Sequence, residues 1–312
     1  MSRGARSLAR FAGPALLLGA TLAGCGRAPA PPRAATRAAA RIVVMAPGAA
    51  EMLAALGAGD QVVGIGDWVS WPPALAARPR VGAYDSPNLE RVLALHPDLY
   101  VTTQGVAGQA ALATLRRLGV RTLELDTARL AGTLDAIEQL GAEVGRGAAA
   151  RRLTTELRAD LERLRLRAAA APRRRVLCVV GRDPLYVAGP GSYLDDLIAI
   201  GGGSNVAADT GQPYALLSLE SALERLPEVI LDTSENRPDA PRGRRLGAWA
   251  QWPLLPAVAS RRVFAIDPER LTIPGPRLGE MATLVAQTIH PEIFGEPTAA
   301  QMTRLSQPAE DR

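Results

Sequence analysis

The chain contains no lysine. All 36 of its basic side chains are arginine, and its 312 residues include two histidines and two cysteines. Without lysine there can be no Gly-Lys-Ser/Thr phosphate loop, and the glycine turns Gly189–Gly191 and Gly201–Gly203 do not form a dinucleotide fingerprint between a strand and a helix. Two histidines are too few for a zinc or manganese receptor, which needs several His and carboxylate groups converging on one point. His96 and His290 each precede proline at expected helix ends, where solvated or capping roles fit best. No serine stands in a nucleophile elbow and no histidine is placed to serve a Ser or Cys, so the chain does not read as an enzyme. Cys25 lies near the start, which leaves Cys178 without a disulfide partner. Within the apolar run VLCVV, Cys178 reads as a small buried hydrophobe. The net charge of +5 is not gathered into a basic block interleaved with aromatics, which argues against nucleic acid as a partner.

What the chain does have is a repeat. NLERVLALHPDLYVTT at 88–103 aligns without a gap on SLESALERLPEVILDT at 218–233. Each copy has a polar N-cap, a short helix, a proline that stops it, and a β-branched apolar strand. Flanking units repeat in the same order. RIVV at 41–44 and RVLC at 175–178 both lead into helices that end in glycines, and two further strands end in Asp126 and Asp267. Three matched units in one order predict two similar α/β lobes, and a cleft between lobes suits a ligand-binding protein.

The start of the chain reads as an export signal over residues 1–25. Arg3, Arg6 and Arg10 precede an apolar run, Phe11 to Leu22, that is too short for a spanning helix. The signal ends in Leu22-Ala23-Gly24-Cys25, which resembles the bacterial lipoprotein cleavage box, so Cys25 is the expected lipidation site. Residues 26–40, rich in Ala, Pro and Arg, predict a flexible tether. The first lobe is expected at 41–146. Residues 147–171 lack proline and carry Leu153, Leu157, Leu161, Leu164 and Leu166 at near-helical spacing, predicting one amphipathic connecting helix. The second lobe is expected at 172–296, followed by a loose tail at 297–312. The fold class is therefore α/β, as two doubly wound lobes joined by a single long backbone helix that allows little hinge motion.

PGAAEMLAALGAGDQVVGIG, VGAYDSPNLERVLALHPDLYV, the connecting helix and SRRVFAID occur in this order behind a lipoprotein signal. Together they resemble the helical-backbone (class III) substrate-binding proteins of ABC importers that capture cobalamin, ferric siderophores or haem. The resemblance covers roughly residues 41–290, and the cobalamin-binding members are the nearest in pattern. It implies a monomeric, exported carrier with no intrinsic cofactor, periplasmic or at the cell surface, lipid-anchored and serving a permease dimer. Cobalamin is the expected ligand, with haem or a ferric siderophore as alternatives.

Glu90 and Glu220 sit at equivalent places in the repeat, each in the first turn of its helix, where an acidic side chain gains from the helix dipole. The resemblance implies a second role, docking onto arginines of the two permease subunits, and carboxylate–arginine geometry suits it. Trp68, Trp71, Tyr84 and Tyr214 lie in loops beside strands or helix starts. Each either caps a core or walls the cleft. In cobalamin-binding members, loops of this kind pack on the corrin, and a flat ligand suits aromatic walls. Glu269 and Arg270, in the loop after SRRVFAID, are further ligand candidates, as is Arg182 after the first strand of the second lobe. A haem receptor would need an axial Tyr or His, and Tyr84 stands one place later than the tyrosine of that pattern. Arg182 and Arg270 would suit an anionic siderophore.

Overall fold

The structure is a computed structural model that describes residues 38–83, 85–105, 108–235 and 241–303. Its first part alternates strand and helix: β1 (Ile42–Val44), α1 (Pro47–Ala55), β2 (Val62–Ile65), α2 (Pro73–Ala76), α3 (Leu89–Ala94), β3 (Leu99–Thr103), α4 (Gln109–Arg117), β4 (Arg121–Leu125) and α5 (Leu130–Glu143). The four strands form one parallel sheet in the order β2-β1-β3-β4. Successive side chains leave a strand on opposite faces, and here both faces are buried. Ile42, Val44, Leu99 and Val101 enter one core, while Val43, Met45 and Tyr100 enter another. That is why the strands read as unbroken apolar runs, as expected of a doubly wound sheet.

Helix α6 (Gly147–Ala168) leads to the second lobe. There follow β5 (Arg174–Gly181), β6 (Tyr186–Ala188), α7 (Tyr193–Ile200), β7 (Gly203–Asn205), β8 (Tyr214–Leu216), α8 (Leu219–Glu224), β9 (Val229–Asp232), β10 (Gly243–Arg244), α9 (Pro256–Ala259), β11 (Val263–Ala265), α10 (Pro268–Leu271), α11 (Leu278–Ile289), α12 (Pro291–Phe294) and α13 (Ala299–Met302). This is a separate, mixed sheet of order β10-β11-β9-β5-β6-β8, with β7 paired beside the first half of β5. β5, β7, β9 and β11 run parallel, whereas β6, β8 and β10 join antiparallel at the edges. Cys178 points into its core, and burial pushes its thiol up to about 12.

The repeat has the same geometry in both lobes. The Asn88 side chain accepts from the Arg91 amide, and the Ser218 side chain accepts from the Ser221 amide. Each short helix ends in a left-handed residue, His96 at φ 47° and Leu226 at φ 46°. Arg41 Nε then donates to the Leu95 and His96 carbonyls, as Arg175 Nε does to that of Leu226. Asp98 and Glu228 accept from the backbone amides of the same two arginines.

Along α6 the leucine stripe divides. Leu157 and Leu161 are buried and Leu153 and Leu164 are partly buried. Leu166 is 58 % exposed, because two residues past Leu164 lies on the far side of a 3.6-residue turn. The helix stops at Ala168, short of the expected Ala171, with Ala169 as its C-cap. One hydrophobic core runs from α1 and α5 through α6 to α7 and α11, so both lobes share it.

Two expectations are corrected. Residues 298–303 are anchored rather than loose: Thr298 and Gln301 form a reciprocal capping box, Met302 is buried, and its carbonyl accepts from the Asp267 amide at 2.8 Å. Residues 304–312 lie outside the described residues. His290 does stand at the expected helix end, as C-cap of α11 and N-cap of α12, but it is fully buried rather than solvated. Its ring contacts Glu292 Oε1 at 2.9 Å and the Gly202 carbonyl at 3.4 Å. His96 is exposed, in line with the solvated role expected of it.

Candidate ligand-binding cleft

In a parallel α/β sheet, the loops after the strand ends form the crevice where ligands bind. The loops after β1, β2, β3 and β4 all contribute to one cavity of about 510 Å³ between the lobes. The first lobe supplies the start of α1 at 46–49, then Asp67, Trp68, Ser70, Thr103 and Thr127. The second lobe supplies Pro268, Glu269, Thr272, Ile273 and Pro274, all from the segment after β11. Trp68 is 60 % exposed, a large indole face held open rather than packed. Around it, apolar Ala, Pro and Ile residues alternate with the polar side chains of Asp67, Ser70, Thr103, Thr127, Glu269 and Thr272. The first amides of α1 have no side-chain cap, so the helix presents donors and the positive end of its dipole to this space.

Trp68 and Glu269 are thus brought together. Glu269 Oε1 accepts from Ser70 Oγ at 3.0 Å, a hydrogen bond that crosses from one lobe to the other. Arg270 is turned elsewhere: its Nε donates to the Thr303 carbonyl at 2.6 Å and its Nη2 to that of Ala300 at 3.1 Å. Its neighbour faces the cleft while Arg270 fastens the last helix, a consequence of adjacent residues on one helical turn pointing apart. Arg182 pairs with Asp232 and lies 5.1 Å from the Trp249 ring centroid. Trp249 Nε1 donates to the same carboxylate at 2.8 Å, so this cluster is internally satisfied and lines a separate hollow of about 410 Å³. Trp249 is buried and lies 5.8 Å from Trp252, as expected for residues that pack the second lobe.

Trp71 precedes α2 and is not among the residues lining the cavity. Tyr214 is 43 % exposed on edge strand β8, next to the buried Tyr193, whose hydroxyl donates to the Leu271 carbonyl at 3.0 Å. Burial pushes the Tyr214 hydroxyl up to about 12, so the group stays neutral at physiological pH. Tyr84 and Cys25 lie outside the described residues. Glu90 and Glu220 are both exposed, each in the first turn of its capped helix.

The sequence reasoning missed four hydroxyl-bearing residues of the lining, Ser70, Thr103, Thr127 and Thr272. For Thr103 a signal existed, since it is identical to Thr233 in the repeat. Thr233 is buried and spends its hydroxyl on the Val179 carbonyl, whereas Thr103 faces the cavity. Also missed was the ion pair Glu51–Arg277, whose partners lie in different lobes. Arg277 Nε and Nη2 reach the two Glu51 oxygens at 2.7 and 2.8 Å. Burial holds the Glu51 carboxyl above the usual carboxylate range, against the opposing pull of Arg277. A third link between lobes joins Arg129 to Asp196, which also accepts from the Leu130 amide at 2.9 Å and so caps α5 from across the cleft. Among the described residues no cluster of His, Cys, Asp and Glu could hold a metal ion, and no helix is long and apolar enough to cross a membrane.

Two doubly wound lobes on a shared core, joined by one long helix and opening a cavity at their strand ends, define the class III type of binding protein. The chain belongs to the periplasmic binding protein family, which matches residues 42–270. It is 30 % identical to a vitamin B12-binding protein of Vibrio cholerae over 237 residues, 76 % of this chain and 84 % of that one. The crystal structure of the periplasmic vitamin B12-binding protein of Vibrio cholerae superposes with a TM-score of 0.70 at 27 % identity, covering 80 % of this chain and 96 % of that chain. A periplasmic haem-binding protein from Pseudomonas aeruginosa gives the same TM-score at 26 % identity, covering 82 % and 94 %.

Proposed function

We propose that this protein is the extracytoplasmic substrate-binding component of an ABC importer and that it captures a corrinoid, cobalamin, in the cleft between its lobes. The observation that carries the reading is the exposed Trp68 indole at the mouth of a cavity lined otherwise by apolar Ala, Pro and Ile side chains and by the polar groups of Asp67, Glu269 and four hydroxyl residues. A flat macrocycle with amide side chains needs such a surface: one aromatic face to stack on and donors around it. The uncapped amides of α1 suit carbonyl or phosphate oxygens at the ligand's periphery. Kinship with vitamin B12-binding proteins supports the same ligand. Haem remains the second reading, favoured by the likeness to the Pseudomonas protein. Against it, the described residues that line the cavity include no Tyr, His, Met or Cys to bind haem iron.

Tyr214, Trp71, Arg182, Arg270 and Tyr84, the last outside the described residues, are the remaining ligand candidates. Of these, Tyr214 has the exposure to extend the aromatic wall. Glu90 and Glu220 dock the loaded protein onto arginines of the permease dimer, and Cys25 carries the lipid that holds it at the membrane. The test is to mix residues 26–312 separately with cyanocobalamin, haemin and a ferric siderophore and to measure each by equilibrium dialysis. Retention of cyanocobalamin in a one-to-one complex is expected. Retention of haemin without cyanocobalamin would replace the corrinoid reading with the haem reading. Mass spectrometry of the mature protein should find a diacylglyceryl group on Cys25, and an unmodified N-terminus elsewhere would remove the anchor.

A further inference from the structure

Every described second-lobe residue that lines the cavity comes from one short segment, 268–274. The position of that segment therefore decides the second lobe's half of the site. It is fastened to the first lobe near both of its ends. At one end Glu269 accepts from Ser70 at 3.0 Å. At its other end its backbone rests on α1 so closely that a Cβ built on Gly48 would stand 2.1 Å from the Pro274 carbonyl oxygen. Just beyond the other end, Arg277 grips both oxygens of Glu51, with the two side chains 11 % and 3 % exposed. Arg277 Nη2 also donates to the Glu269 carbonyl at 2.9 Å, which ties the two ends of the segment together.

From this arrangement we infer that Arg277 is a positioning residue, whose fork to Glu51 and the Glu269 carbonyl clamps the ligand-facing segment of the second lobe onto helix α1 of the first and so sets the aperture of the cleft. The inference rests on the ligand-binding reading for its functional consequence, though not for its structural one. The long helix alone would fix the distance between lobes at their base, and the clamp fixes the rim. A buried ion pair adds little net stability, because desolvating both charges offsets their attraction, yet it imposes one geometry. Arginine suits the task since a rigid guanidinium satisfies three acceptors at once, which a lysine ammonium on a flexible stem does not do in the same geometry. Opening the cleft must break this fork and the Ser70–Glu269 bond together. Ligand exchange then depends on the clamp although Arg277 and Glu51 do not line the cavity.

The test uses residues 26–312, whose single native thiol, Cys178, is buried and will not label. Spin labels go on Arg117→Cys and Glu224→Cys, exposed positions in the two lobes, and interlobe distances are read by pulsed electron resonance without ligand. Arg277→Ala should broaden the distribution, and Arg277→Lys should restore it in part. Because either single variant leaves a buried group unpaired, the double variant Glu51→Met/Arg277→Met serves as the control that keeps the fold while removing the fork. It should broaden the distances as Arg277→Ala does and speed cyanocobalamin release by about tenfold, since preorganisation is felt mainly in dissociation. Wild-type distances and release rates in a folded double variant would overturn the clamp. Failure of the unsubstituted protein to bind any macrocycle would refute the ligand reading instead, and the ligand-free distances would still judge the clamp.

Discussion

Trp68 is an indole held open at the lip of a cavity, while the tryptophan at 249 is spent on packing. Removing its side chain should cost the fold little and the ligand much. Trp68→Ala is expected to weaken cyanocobalamin binding by about tenfold to a hundredfold, from lost stacking and lost apolar contact. Titration calorimetry beside a thermal melt separates the two effects. Glu51 makes a different prediction. Its carboxyl is raised by burial, so in the window above its ordinary value of 4.5 the folded state holds the proton more tightly than the unfolded chain does. Its contribution to stability is therefore full below 4.5 and is lost as pH rises through the raised value. Urea melts across this range should show the unsubstituted protein gaining on Glu51→Gln as pH falls from neutral, with the gap constant below the window. A gap that widens towards high pH would contradict the assignment. Residues of this kind were the least legible in the sequence. Trp68 and Glu269 could be picked out because a large aromatic and an acid in loops after strands are conspicuous. Ser70, Thr127 and the Glu51–Arg277 pair could not, because their meaning depends on partners about 200 residues away.

At the scale of elements, helix and strand placement was legible because two periodicities were clean. The strands are buried on both faces, so they appear as continuous β-branched runs, and the connecting helix shows a leucine stripe. The stripe also shows where pattern stops being enough. Five leucines looked alike, yet Leu157 faces the shared core and Leu166 faces water. Leu157→Ala should cost about 2–5 kcal/mol through the cavity it leaves, and Leu166→Ala less than about 0.5 kcal/mol. Equal losses in chemical denaturation would mean the helix is rotated from its observed setting. The last described helix, Ala299–Met302, escaped notice because four residues carry no period. What holds it is a capping box, a buried methionine and the Arg270 hydrogen bonds to its carbonyl ends. That also explains why Arg270, which reads as a ligand group from its position in the loop, is committed to structure.

For the molecule as a whole, the duplicated unit was the sequence's most informative feature, since its capped helix, left-handed turn and arginine staple recur in both lobes. It sets Glu90 and Glu220 at matched exposed positions, one per lobe. The combined change Glu90→Lys and Glu220→Lys should abolish uptake in cells while leaving the dissociation constant for ligand unchanged, because neither residue lines the cavity. Loss of affinity in that variant would transfer both glutamates to the ligand site. What the repeat could not reveal is that the lobes touch directly. Among the described residues, Ser70–Glu269, Glu51–Arg277 and Arg129–Asp196 link the two lobes, so the lobes are braced near the cleft as well as through the long helix. Cyanocobalamin is expected to be held by both lobes at once, between the strand ends of the first and the segment after β11 of the second. Hydrogen–deuterium exchange of residues 26–312 with and without saturating cyanocobalamin tests it directly. Added protection is expected at 46–49 and 67–70 together with 268–274. Protection confined to one lobe, or none at these segments despite binding, would contradict it.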